Sequence, residues 1–143
     1  MVDAIFAAVP AARLRVLNVG LGEVVSVLLR KRNSGVIFQD VFAQALGNFE
    51  SEIIRGSGIR KVSVTSRLVT SSFGLILDHS INATDALVLR TALAIARRLR
   101  RTGDDLVLVA SDQRLLRGAR AEGLLAFDPE SQDEAALAPL VHA

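Results

Sequence analysis

Leu106–Ala110 (LVLVA), five apolar residues in unbroken succession, constrains the fold of this chain more than any other segment. Five residues are too few for a buried helix. With no polar side chain alternating among them, neither face of a strand is left for water. Strands of this kind are covered on both sides, as in parallel sheets flanked by helices. The residues that follow fit the same plan. Ser111 or Asp112 caps a predicted helix running to Glu122, Gly123 stops it, and Leu124–Phe127 makes a further short strand.

The alternation extends upstream. Arg13–Val19 (RLRVLNV) is β-rich and alternating, and Gly20–Arg32 then places Leu21, Val24, Val25, Leu28 and Leu29 at helical spacing. Asn33-Ser34-Gly35 ends that helix, and Val36–Arg55 carries a second helical stripe through Phe38, Phe42 and Phe49. After the Gly56-Ser57-Gly58 turn, Ile59–Thr65 alternates as a strand, and Ser66–Leu77 is predicted helical. Asn82 and Thr84 are both N-cap residue types, Asp85 falls in the first turn of a helix over 84–102, and Gly103 closes it. Strands alternating with helices predict an α/β fold around a parallel sheet. Half of the residues are hydrophobic, which excludes a disordered chain. The expected organisation is one domain over residues 1–130 with a loosely attached tail over 131–143.

Several function classes fall away on composition. There is no cysteine, hence no disulfide framework and no thiolate metal site, which suits a reducing, cytoplasmic setting. The longest stretch without a charge, Leu68–Leu77, has ten residues, about half of the ~20 a bilayer-crossing helix needs. No secretory signal pattern opens the chain. The cations are 15 Arg against 2 Lys, gathered at Arg30–Arg32, at Arg97, Arg98, Arg100 and Arg101, and at Arg114, Arg117 and Arg120. Most of these positions lie near helix ends, where cations suit the helix dipole, so a polyanion surface is permitted but not required.

The apparent glycine fingerprint is weak. Val16–Gly22 (VLNVGLG) enters a helix through Gly20-x-Gly22, but the third glycine position is Val25, and Glu23 would oppose a pyrophosphate. Nucleophilic triads lack support: no G-x-S-x-G elbow exists, and the two histidines are His79, near a predicted helix end, and His142, in the tail. Carboxylates remain. Glu23 follows the first strand, Asp112 follows LVLVA, and Asp85 opens the 84–102 helix. Each alone is ordinary helix chemistry, but three acids entering one crevice repel unless a cation sits among them.

TDALVLRTALAIARRL followed by LVLVASDQRLLRGARAEGLLAFDPE resembles the second half of PIN-domain proteins, the group containing VapC-type toxin ribonucleases. The upstream LRVLNVGLGEVVSVLLRKRNSG resembles the family stretch that carries its helical Glu, so the likeness covers roughly residues 13–130. It implies a three-layer α/β/α sandwich and metal-dependent hydrolysis of RNA, with Glu23, Asp85 and Asp112 as ligands of Mg²⁺ or Mn²⁺. It also implies a homodimer and an antitoxin protein as partner, and the apolar surface that Val36, Phe38, Phe42 and Phe49 offer puts the expected dimer contact on the helices between residues 20 and 77. The family's first strand, bearing an Asp followed by Thr or Ser, has no counterpart here: Asp3-Ala4 lacks the hydroxyl and precedes Glu23 by only 20 positions. The N-terminal strand is thus expected to be missing. Two other readings stand beside this one: a non-catalytic PIN-like module that binds RNA or an antitoxin-like peptide, and a Rossmann-like nucleotide binder using the Gly20-x-Gly22 turn.

Overall fold

Four short strands and seven helices alternate along the chain in a computed structural model that describes residues 2–141. The chain divides into two compact units, Pro10–Ser63 and the combination of Met1–Val9 with Val64–Ala143. His142 lies outside the described residues.

The smaller unit begins with β1 (Arg15–Leu17), which passes directly into α2 (Asn18–Asn33); α1 (Val2–Ala8) belongs to the larger unit. Gly35, at φ +75°, takes the left-handed conformation that a side chain disfavours and so turns the chain after α2. The single helix expected over Val36–Arg55 is instead α3 (Gln39–Asn48) continued by a π-helical turn at Phe49–Ile54. Gly56 ends that wide turn because a Cβ there would lie 2.0 Å from the Glu52 carbonyl oxygen. β2 (Arg60–Val62) then pairs in parallel with β1, in the register Arg15 with Arg60, Val16 with Lys61 and Leu17 with Val62.

In the larger unit Thr65 caps α4 (Ser66–His79) by accepting from the Leu68 N–H, and Asn82 caps α5 (Ala83–Leu99) by accepting from the Asp85 N–H. A 3₁₀ turn over Arg100–Thr102 and Gly103, at φ +87°, return the chain to β3 (Val107–Val109). α6 (Gln113–Ala121) crosses over to β4 (Leu125–Phe127), which lies parallel to β3. Helix α5 turns Ala86, Leu89 and Ala96 inward, where they pack with Leu75 of α4, Leu115 and Ala119 of α6, Leu108 and Leu124. A second cluster joins Ile5 of α1, Phe127 of β4 and Leu137.

The α/β class and the parallel pairing agree with expectation, in the form of two separate two-stranded sheets. Two local readings are corrected. The expected tail carries α7 (Glu134–Val141), held because Leu137 buries its side chain against Ile5 and Phe127. LVLVA is not covered on both faces throughout, since Leu108 is buried while Val109 is 44% exposed. No helix among the described residues is long and apolar enough to cross a membrane.

Candidate functional site

Asp112 stands at the carboxyl end of β3 and is the N-cap of α6. Its Oδ1 accepts from the N–H groups of Arg114 at 2.8 Å and Leu115 at 3.0 Å. Bonding to the Leu115 N–H, aided by that of Arg114 and the positive charges of Arg114 and Arg117, holds its carboxyl below the usual aspartate range despite some desolvation. The side chain is exposed, and Oδ2 has no hydrogen bond among the described residues. One oxygen builds the helix and the other remains available as a hard donor.

Asp85 lies three residues into the cap of α5. Its Oδ2 accepts from Asn82 Nδ2 at 2.8 Å while its own N–H donates to Asn82 Oδ1 at 2.8 Å. This reciprocal pairing satisfies helix-end donors and complements the dipole. At the other end of α5, Arg100 donates to the carbonyl of Gly123, just before β4, and to Asp105, just before β3. That fastens the carboxyl end of α5 at the amino edge of the β3–β4 sheet. Asp85 lies at the other end of α5 from that fastening, and Asp112 follows the carboxyl end of β3.

Glu23 departs from its expected place. Because α2 starts at Asn18, Glu23 is in the second turn, exposed, with no side-chain bond among the described residues, and it belongs to the smaller unit. The same early start puts Gly20 and Gly22 inside the helix, so no glycine loop precedes it. The strand-to-helix loop that a nucleotide binder would use is replaced by helical backbone. Among the described residues no group of three or more His, Cys, Asp or Glu is gathered so as to hold a metal ion.

Two arrangements have no counterpart among the candidate sites of the sequence. Asp128, directly after β4, is buried and accepts from Ser131 Oγ and Gln113 Nε2, both at 2.7 Å, and from the Glu130 N–H at 2.9 Å. Those bonds, the Ser131 hydroxyl foremost, hold it below the usual aspartate range. Its signal is the Asp-Pro-Glu-Ser run, an ordinary turn signature. The other is His79 at the end of α4, whose Nε2 lies 2.8 Å from Glu122 Oε1. Gly118 of α6 makes this approach possible, since a Cβ there would lie 3.2 Å from the His79 ring. A separation of 43 residues left that pair no local signature.

No protein-family model matches the chain, and no curated protein or solved structure is significantly similar to it.

Proposed function

We propose that this chain is a PIN-like, metal-dependent ribonuclease in which Asp85 and Asp112 hold Mg²⁺ or Mn²⁺ at the carboxyl edge of the β3–β4 sheet. The observation that supports this most is the pairing of their places. Both acids stand at the amino ends of helices of the same unit, and Asp112 keeps Oδ2 free of hydrogen bonds among the described residues. The donor set fits the ion, because Mg²⁺ takes hard oxygens and is commonly bound by one or two carboxylates together with substrate phosphates. When bound, such an ion polarises a phosphate oxygen and lowers the pKa of an attacking water. The chain's own part is orientation: Asn82 fixes the Asp85 carboxylate, and the amino end of α6 fixes that of Asp112. Glu23 enters as a third ligand from the resemblance alone. The same reading includes the three-layer sandwich, a homodimer through the helices between residues 20 and 77, and an antitoxin partner.

A second reading, a non-catalytic module that binds RNA or an antitoxin-like peptide, is favoured by the fact that both carboxylates are already engaged at helix starts, Asp112 as the cap of α6 and Asp85 with the capping Asn82 of α5. Incubation of the chain with mixed single-stranded RNA and Mn²⁺ separates the two. The nuclease reading expects cleavage that EDTA abolishes and Asp112→Asn removes. Binding without cleavage supports the second reading, and cleavage indifferent to both EDTA and the substitution contradicts the first.

A further inference from the structure

The smaller unit carries eight Lys and Arg against four Asp and Glu, and two of its arginines are set against each other. Arg15 and Arg60 are direct partners across the parallel β1–β2 pair. Partnered residues project from the same face of a sheet, and like charges placed this way destabilise the pairing. No acid bonds to either guanidinium among the described residues. Arg15 is also held in place: its Nη1 donates to the carbonyls of Ala12 at 2.7 Å and Leu14 at 3.0 Å. A guanidinium has five N–H donors, so about three, on Nε and Nη2, stay unused. Partial burial and, second to it, the adjoining Arg60 charge lower the Arg15 pKa from the usual arginine value.

We propose that Arg15 and Arg60 together form a binding site for a phosphate group. Arginine suits this task, since its planar fork meets two oxygens of a phosphate at once. A phosphate anion seated between the pair converts mutual repulsion into two charge-assisted contacts. One arginine is pre-positioned by backbone carbonyls, and the other is exposed and reaches the ligand without losing a protein partner. The neighbouring Lys61 projects from the opposite face and spends its ammonium on the Gly56 carbonyl at 2.7 Å, so it stands outside the site. The proposal is independent of whether the chain cuts RNA. The phosphate is either a free ion or a group on an RNA backbone, and the chemistry of the site is the same.

The test uses the full chain, Arg60→Gln, and Lys61→Gln as a control for charge alone, all in EDTA at low ionic strength. Inorganic phosphate is expected to raise the melting temperature of wild type and Lys61→Gln, but not of Arg60→Gln. Without phosphate, Arg60→Gln should melt above wild type, because the repulsion is gone. A single-stranded RNA oligonucleotide then identifies the source. If RNA supplies the phosphate, the slope of log K against log salt falls by about 0.7 in Arg60→Gln, one phosphate contact's worth. If the phosphate is free, RNA affinity is the same in wild type and variant. An equal phosphate response in wild type and Arg60→Gln, or loss of the response in Lys61→Gln as well, overturns the proposal. EDTA keeps this outcome separate from any failure of the carboxylate metal site.

Discussion

In the larger unit Phe127, Leu89 and Leu116 are wholly sealed from solvent, whereas in the smaller unit the buried apolar side chains are Leu17 and Phe42. Both units are built alike, from one parallel strand pair and the helices around it. They differ in what the helices face. The inner stripe of α5 meets α4 on one side and α6 on the other, while α2, with apolar residues at the same spacing, buries none of them. Val36 and Phe38 of the smaller unit are 69% and 77% exposed. The contrast teaches that an amphipathic stripe specifies a surface to be covered and leaves open what covers it. Small units also bury a smaller fraction of their surface, so the shortfall belongs where the chain is shortest.

The same substitution made in each unit should separate them most widely. Phe127→Ala is expected to cost about 3–5 kcal/mol in urea unfolding, as large core truncations do. Phe38→Ala should change stability by no more than about 0.5 kcal/mol, the usual range for surface positions. Comparable losses from both would erase the contrast. Glycine offers a second pair with opposite signs. Gly118→Ala places a methyl against the His79 ring, which Glu122 holds, and should destabilise by about 1–3 kcal/mol. Gly22→Ala, inside α2 with open space around it, should stabilise by about 0.5–1 kcal/mol.

Smaller effects attach to the acids of the larger unit. Asp112→Ala should cost about 1 kcal/mol by removing a helix cap, while Asp112→Asn should cost less, because Asn still caps and only the contribution of the carboxylate charge is lost. Asp112 and Asp128 both have folded pKa values below the ordinary aspartate value, so each favours the folded state above about pH 4. That contribution is lost as pH falls through the folded values. Acid titration of Asp128→Asn followed by circular dichroism should therefore show a shallower loss of stability below about pH 4 than wild type. An unchanged slope would mean that the hydrogen bonds to Asp128 do not favour its ionised form.

Much of this arrangement was legible in local chemistry. Asn82, Asp112 and Gly103 mark helix ends by residue type, and each stands at the boundary it announces. Leu106–Ala110 announced a strand with parallel partners, and Val107–Val109 is one. What escaped detection was set by packing over distance. The wide turn at Phe49–Ile54 keeps a helical apolar pattern, so spacing alone merged it with α3. α2 begins at Asn18 rather than at Gly20, because helical backbone tolerates Gly20 and Gly22 at a modest cost. That shift of a few residues took Glu23 out of the first turn. The division at Ser63–Val64 falls beside a strand, with no linker composition to mark it.

Thermal melting with and without Mn²⁺ tests most directly whether Asp85 and Asp112 hold a divalent cation. The comparison is between wild type and the double variant Asp85→Asn with Asp112→Asn, followed through a signal from the larger unit. At a metal concentration a hundredfold above its dissociation constant, wild type should gain ~2.7 kcal/mol and the double variant nothing. Equal gains in the two proteins, or no gain in wild type, would contradict a carboxylate metal site at the edge of the β3–β4 sheet.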